Sequence, residues 1–110
     1  MPSLKGEVWL VNLDIGTGHE QYSIRPAIMV GRNVNGMTII IPLTSNLNRA
    51  NFPYTQIIHP NNGNGLDQES VALIFQLRSI DNSSLIRKIG KINSTEIETI
   101  DTQVKDILYY

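Results

Sequence analysis

The chain contains no cysteine, which excludes disulfide bonds, thiolate nucleophiles and cysteine-ligated zinc or iron–sulfur centres. It also lacks long apolar runs. The longest, residues 39–41 and 71–75, have the length of strands, whereas a membrane-spanning helix needs about 18–20 apolar residues. Residues 1–6 do not show the basic and then apolar pattern of a secretion signal. We therefore expect a soluble, cytoplasmic protein that makes no membrane contact.

Charge of either sign is scarce. The 9 lysines and arginines nearly balance the 10 acidic residues, for a net charge of −1. This balance argues against a broad basic surface for duplex nucleic acid, but a narrow groove can still bind a few nucleotides through local cations and stacking. The length of 110 residues suits one domain over residues 1–110. A domain this small often buries further surface by pairing with a copy of itself.

Short segments rich in β-forming residues recur along the chain, separated by turns that contain glycine, proline and asparagine. They predict five strands, over residues 7–13, 27–30, 37–44, 54–59 and 70–77. The fourth of these is expected at an edge of the sheet. A short helical turn is expected over residues 84–89, ended by Gly90.

One longer helix is predicted close to the C-terminus. Thr95 and Glu98 have the spacing of a capping box. An apolar stripe at helical spacing follows and should pack on the sheet or on a partner subunit. Its members are Ile97, Ile100, Val104, Ile107 and Leu108. The predicted fold class is α+β and mainly β, since short strands of this kind suit a small barrel.

The common catalytic patterns are missing. His19 and His59 lie far apart and fit no metal-binding motif. Asp67 and Glu69 are better interpreted as a solvated loop end than as metal ligands. No serine or threonine has the setting of a nucleophile elbow, and the glycines at 63 and 65 precede no phosphate-binding lysine. We therefore expect neither a metal ion nor a cofactor.

Arg25 and Thr44 remain as a candidate pair, one just before a predicted strand and the other at the end of the next. A guanidinium offers a fixed fork of donors to phosphate oxygens, and a threonine hydroxyl can add one more. The alternative is that Arg25 makes a surface ion pair with Glu20 and that Thr44 only ends its strand. The residues alone favour this second interpretation.

Aromatic side chains provide possible stacking surfaces for nucleobases. The candidates are Trp9, Tyr22, Phe52, Tyr54 and Phe75. Trp9 lies among aliphatic residues in a predicted strand and is expected in the core. Tyr22, in the polar segment before Arg25, is the better candidate for stacking.

An ordered set of segments resembles the motifs of the MazF/PemK family of toxin endoribonucleases. The chain starts with a match to G-[DE]-[IV]-[YW]-x-[VA]-[DN]-[LF] and continues with the family's E-Q-x-x-x-R-P segment, its [VI]-P-[LI]-T-S segment and its Q-[IL]-R-[TS]-I-D segment. These matches fall on residues 6–13, 20–30, 41–45 and 76–81, and further matches fall on residues 65–72 and 88–92. The resemblance covers nearly the whole chain in the expected order.

The resemblance implies an SH3-like β-barrel of the CcdB/PemK type with a C-terminal α-helix. It implies a homodimer that binds single-stranded RNA along the subunit interface. The implied activity is sequence-specific cleavage of single-stranded mRNA, which stops translation. The implied partner is a cognate MazE-like antitoxin whose extended tail blocks the same groove.

The family's arginine before proline falls on Arg25 and its threonine on Thr44, which implies that both are catalytic. Glu20 is the candidate general base. The remaining positions implied to bind RNA are Gln21, Ser45 and Gln76, to which we add Tyr22. The PemK/Kid branch has an arginine and an acidic residue on its fifth strand where this chain has Leu73 and Phe75, so that branch's full catalytic set does not carry over.

The expected chemistry needs no metal ion, because RNA carries its own nucleophile. Attack of the 2′-hydroxyl on the adjacent phosphorus would leave a 2′,3′-cyclic phosphate and a 5′-hydroxyl. Two alternatives stay open. One is a CcdB-like gyrase poison, although that family's tail ends in Trp-Gly-Ile and this chain ends with Tyr109 and Tyr110. The other is a non-catalytic SH3-like binding module.

Overall fold

The computed structural model describes residues 4–13 and 24–110. Seven antiparallel strands form one sheet in the order β4-β5-β3-β2-β1-β7, and β6 pairs with β3. The strands are β1 (Glu7–Asn12), β2 (Ile24–Met29), β3 (Met37–Thr44), β4 (Thr55–Ile58), β5 (Ser70–Leu73), β6 (Arg78–Asp81) and β7 (Leu85–Lys91). A helix, α1 (Ser94–Ile107), follows them. This architecture confirms the mainly β, α+β prediction, and within the described residues the sheet ends at β4 and β7 without closing.

The central strands are apolar on both faces because each face covers its own core cluster. Ile28 and Ile41 are cross-strand partners and belong to the first cluster. Their neighbours Met29 and Ile40 are also partners and point to the other side, into the second cluster. Strands covered on both faces have near-continuous apolar runs instead of alternating ones. The sequence of β3 has this form, and five of its eight residues, Ile40–Thr44, are buried in succession.

Helix α1 covers the first cluster. Ile100 is buried there, and Ile97 and Val104 pack against it, so the predicted stripe packs on the sheet through these residues. The predicted capping box at Thr95 and Glu98 is wrong, since the N-cap lies two residues earlier. Asn93 is the N-cap: its side chain accepts the Glu96 N–H at 2.8 Å, and the Glu96 carboxylate accepts the Asn93 N–H at 3.0 Å. Among the described residues, no helix is long and apolar enough to span a membrane.

The predicted helical turn over residues 84–89 is also wrong. A 3-10 helix occupies Asn82–Ser84, and the chain then extends as β7, with Gly90 paired to Val8 of β1. Gly90 does not end a helix. Because it has no side chain, it lets the backbone of Asn64 approach β7 closely. A Cβ at this position would lie 2.3 Å from the backbone carbon of Asn64.

The predicted strand over residues 70–77 is shorter in the structure. It ends as β5 at Leu73, and a 3-10 helix over Ile74–Gln76 turns the chain into β6. With β6 and β7, which were not predicted, the sheet has seven strands within the described residues instead of the predicted five. The edge position predicted for β4 is confirmed, since among the described strands β4 pairs with β5 alone.

Candidate active site

The antiparallel register brings Arg25 and Thr44 together at neighbouring strand ends. Ala27 of β2 is the partner of Pro42 on β3, and two further positions along each strand place Arg25 opposite Thr44. The Arg25 Nη1 atom donates to Thr44 Oγ1 at 3.5 Å. This is long for a hydrogen bond of this type, which is usually near 2.9–3.0 Å. The guanidinium is therefore near the hydroxyl but only weakly held by it.

The surroundings of the Thr44 hydroxyl determine which way its proton points. Thr44 is only 9% exposed, and its Oγ1 accepts a second hydrogen bond, from the Asn46 N–H at 3.1 Å. A hydroxyl has two acceptor lone pairs and one donor proton. Arg25 and Asn46 both approach the lone pairs of this oxygen, and no described residue accepts the Thr44 proton, which leaves the proton to donate to a bound group.

Arg25 itself is exposed. The ion pairs among the described residues join Lys5 to Asp101, His59 to Glu69 and Lys88 to Glu7. Within residues 4–13 and 24–110, then, no carboxylate pairs with Arg25, and its other N–H groups are free of ion pairing. The alternative partner considered from the sequence, Glu20, lies outside the described residues.

A cleft of about 460 Å³ opens on one side of this pair, and we call it the cationic cleft. Its lining includes Ser45 and Gln76, both predicted from the sequence to bind RNA, and a second guanidinium, that of Arg49. The full lining is Leu13, Arg25, Pro42, Leu43, Thr44, Ser45, Asn46, Arg49, Leu73 and Gln76. Among the described residues this lining contains two cations and no carboxylate, which suits a phosphate-containing ligand.

Sequence reasoning missed Asn46 and Arg49. Both belong to the segment after Thr44, where a 3-10 helix spans Leu47–Asn51 and the Asn46 side chain caps it by accepting the Asn48 N–H at 3.2 Å. Asparagine is a preferred N-cap, so the start of a turn at this position was a usable signal. No local pattern of residues indicates that the turn returns to the cleft.

A second cleft, of about 330 Å³, lies on the other side of the pair, and we call it the acidic cleft. It shares Arg25, Leu43, Thr44 and Ser45 with the cationic cleft and adds Asp67. The rest of its lining is Ile24, Pro26, Leu66, Gln68 and Ser70. Asp67 is the one carboxylate among the described residues that line either cleft. It is exposed at a loop end, as the sequence suggested, but the site extends to it.

Three predicted site residues, Glu20, Gln21 and Tyr22, lie outside the described residues. Trp9 is partly buried against the second core cluster, and its indole N–H donates to the Glu7 carboxylate at 2.9 Å. Burial of Glu7 raises its pKa, but the Leu4 N–H, the Trp9 indole and Lys88 together lower it more, so that the pKa stays below its usual value. Glu7 and Trp9 therefore stabilise β1 at the end of the strand away from the site.

Within the described part of the chain, no three histidine, aspartate or glutamate side chains gather into a group. The His59 ring contacts the exposed Glu69 carboxylate through Nδ1. The expectation that the site works without a metal ion stays a prediction.

The fold is that of the MazF toxins. The crystal structure of MazF from Deinococcus radiodurans superposes with a TM-score of 0.79 at 21% identity, covering 100% of this chain and 99% of that one. MazF in a MazE–MazF complex from the same organism superposes with a TM-score of 0.74 at 18% identity, covering 98% and 96%.

The sequence comparisons narrow this class to one family. The sequence model for the PemK-like, MazF-like toxin of type II toxin–antitoxin systems matches residues 4–108. Endoribonuclease MazF9 of Mycobacterium tuberculosis is 31% identical over 110 residues, covering 92% of each chain. The chain therefore belongs to the PemK-like, MazF-like toxin family, and the resemblance inferred from its motifs is confirmed.

Proposed function

We propose that this protein is a toxin endoribonuclease that cleaves single-stranded mRNA at specific sequences, without a metal ion, and so inhibits translation. The observation that carries the proposal is the Arg25–Thr44 pair, which forms the shared wall of two adjoining clefts. A scissile phosphate at this pair would have a cleft on each side for the flanking nucleotides. The family membership and the name of the 31% identical relative support RNA as the substrate.

The proposed reaction is a transesterification within the RNA. The 2′-oxygen forms a bond to phosphorus, the bond from phosphorus to the 5′-oxygen breaks, and the products are a 2′,3′-cyclic phosphate and a 5′-hydroxyl. Negative charge grows on the non-bridging oxygens as the phosphorane forms. Arg25 stabilises that charge with its N–H groups, which pair with no carboxylate among the described residues, and the Thr44 proton donates to one of the oxygens. Such donors act most strongly when they are fixed in place, as the buried Thr44 is.

Proton transfer needs a second group. The 2′-hydroxyl must lose a proton, and a guanidinium is a poor base because its pKa lies above about 12. From the sequence we assign this role to Glu20, and Asp67 in the acidic cleft is the alternative. Arg25 assists the leaving 5′-oxygen by hydrogen bonding, and that oxygen takes the proton of its hydroxyl from water, while the base keeps the proton of the 2′-hydroxyl.

A MazE-like antitoxin and a second copy of this chain are the proposed partners. One of the superposed structures is a MazE–MazF complex, which supports the antitoxin. An extended antitoxin tail in the cationic cleft would exclude RNA. We also propose that the toxin acts in the cytoplasm, as a homodimer with RNA along the subunit interface.

The test is cleavage of a long RNA of mixed sequence in the presence of EDTA, with the ends of the fragments mapped. Wild type should give discrete fragments with 5′-hydroxyl ends. Arg25→Ala should be slower by about 100- to 1,000-fold, the usual cost of removing one transition-state donor. Arg87→Ala, an exposed arginine on β7, is the matched control and should cut like wild type.

Three outcomes would contradict the proposal. Binding of RNA without cleavage would indicate a non-catalytic module. Equal rates for wild type and Arg25→Ala would remove Arg25 from the site. Loss of cleavage in EDTA would show that a metal ion is required.

A further inference from the structure

Two exposed aromatic rings stand beside the cationic cleft. Phe52 is 45% exposed and Phe75 is 40% exposed. They are the only phenylalanines in the chain. Their centroids lie 6.1 Å apart and their planes meet at 89°. Two rings at a right angle form a corner, in which a flat group can stack on one ring while its edge meets the other.

The backbone holds both rings in place. The Phe52 N–H donates to the Arg49 carbonyl at 3.1 Å, and the Phe52 carbonyl accepts the Thr55 hydroxyl at 2.8 Å. The Phe75 N–H donates to the Tyr54 carbonyl at 3.3 Å. The corner is therefore preorganised, which lowers the entropy cost of placing a ligand there.

The corner is continuous with the cationic cleft. It lines a shallow cavity of about 380 Å³ with Arg49, Pro53, Tyr54 and Gln76. Arg49 and Gln76 also line the cationic cleft. The Arg49 guanidinium carbon lies 5.7 Å from the Phe52 ring centroid. The same cation therefore lines the cationic cleft and borders the aromatic corner.

The polar groups at the rim differ in what they can still bind. The Tyr54 hydroxyl donates to Asp106 at 2.6 Å, so Tyr54 contributes its ring but no free donor. The Gln76 carboxamide is exposed and makes no hydrogen bond to the described residues. A carboxamide can pair with the edge of a nucleobase through two hydrogen bonds.

We propose that the corner formed by Phe52 and Phe75 binds one nucleobase of single-stranded RNA beside the cleavage site, with Gln76 at the edge of that base. This inference rests on the proposed function and extends it to a specificity-determining site. Single-stranded RNA is bound by stacking its splayed bases on aromatic rings, and nearby cations hold the backbone. The continuity with the cationic cleft and the guanidinium of Arg49 favour RNA over an apolar peptide segment.

The test uses an RNA oligonucleotide with a 2′-deoxy substitution at the mapped cleavage site, which removes the nucleophile, so that binding is measured without cleavage. Phe75→Ala should weaken binding by about 5- to 100-fold, as expected for loss of one base stack. Phe75→Leu should bind as weakly as Phe75→Ala, because it keeps an apolar side chain and removes the ring. Phe75→Tyr should restore binding. Phe52→Ala is a second variant of the same corner.

Ile86→Ala, at an exposed apolar position on β7, is the control and should bind like wild type. With an uncut RNA that carries the 2′-hydroxyl, Phe75→Ala should raise KM and change kcat little. Full binding by Phe75→Leu would overturn the stacking site, since any apolar side chain would then suffice. A changed oligomeric mass for Phe75→Ala in sedimentation would also overturn it, because the corner would then be a contact between copies.

Failure of the proposed function would give results different from failure of the stacking site. If wild type cuts no RNA, the enzyme assignment fails. The stacking site would still be supported if binding of an unmodified single-stranded RNA, which would then need no 2′-deoxy substitution, depended on a ring at position 75. If wild type cuts RNA and the Phe75 variants bind and cut as wild type does, only the stacking site fails.

Discussion

The two clefts share a wall and differ in charge. Arg25, Thr44 and Ser45 belong to both. The cationic cleft adds a guanidinium, that of Arg49, while the acidic cleft adds the carboxylate of Asp67. In-line displacement places nucleophile and leaving group on opposite sides of phosphorus. We therefore propose that the cationic cleft binds the RNA backbone and that the acidic cleft is the place for chemistry on the uncharged sugar.

The clefts also differ in how their outer walls are held. A capped 3-10 helix carries Arg49 to the cationic cleft. The wall of the acidic cleft is fixed from the core, where the buried Asn64 side chain accepts the Leu66 N–H at 3.0 Å and donates to the His59 carbonyl at 2.8 Å. We expect the wall of the acidic cleft to be more sensitive to substitution than the wall of the cationic cleft.

Gly65→Ala should give the largest change in stability. Gly65 has φ +72, and a Cβ there would lie 2.0 Å from the Ile89 carbonyl oxygen. Overpacking and left-handed strain together should cost about 3 kcal/mol in the free energy of unfolding, measured by denaturant titration. Gly36→Ala is the control, since Gly36 has φ +79 and nothing within 4 Å, and it should cost about 1 kcal/mol. Equal losses would show that the close approach to Ile89 does not hold this wall.

Arg49→Ala should weaken RNA binding by about tenfold, through lost phosphate contact and a lost cation–π partner for Phe52. For a single strand, the slope of log K against log salt should become shallower by about 0.7. Binding measured across a range of salt concentrations tests both. Arg32→Ala, at an exposed arginine outside both clefts, should leave the slope unchanged. An unchanged slope for Arg49→Ala would mean that the cationic cleft does not hold phosphate.

Much of the fold could be predicted because burial and propensity agree. The residues of β1, β3 and α1 are apolar where they are covered, and the patterns follow that covering. The prediction for β7 was wrong because Arg87, Lys88 and Gly90 resemble the end of a helix in sequence. The reason for Gly90 is its contact with Asn64, a residue distant in sequence. Tertiary contacts of this kind leave no local pattern.

The residues of the site also fall into two groups, those that the sequence pattern predicted and those that it did not. Arg25 and Thr44 end neighbouring strands, so an antiparallel register was enough to bring them together. Arg49 and Asp67 reach the clefts only because separate loops fold back to those strand ends. Their side chains are ordinary surface charges in the sequence. Position in the fold, and not residue type, makes them candidates.

Asn46→Ala should cost about 1 kcal/mol or less in the free energy of unfolding, because it removes a side-chain cap that makes one hydrogen bond. The Asn46 backbone N–H still reaches Thr44, so the hydroxyl should stay in place. Asn46→Asp keeps the cap and should recover the stability. Asn93→Ala, which breaks the reciprocal cap of α1, should cost more in the same denaturant titration. The reverse order would show that the wall of the cationic cleft depends on this single cap.

Asp67→Asn should have the smallest effect and the opposite sign. Removing an exposed negative charge next to the RNA backbone should tighten binding by about twofold at low salt, and less at high salt because of screening. If Glu20 accepts the 2′-hydroxyl proton, the single-turnover cleavage rate should change little. Glu98→Gln, on the exposed surface of α1, makes the same change in net charge away from the clefts and should alter neither quantity.

A loss of about 100-fold or more in single-turnover rate for Asp67→Asn would assign the proton transfer to Asp67 instead, since a general base contributes about 10²–10⁴. The pH dependence of the cleavage rate would distinguish Asp67 as the general base from Asp67 as only a nearby charge. A variant without its base should lose the acidic limb of the rate profile, whereas a variant that lost only a nearby charge should keep that limb. In that case the acidic cleft would supply the general base, and the cationic cleft would only bind the RNA backbone.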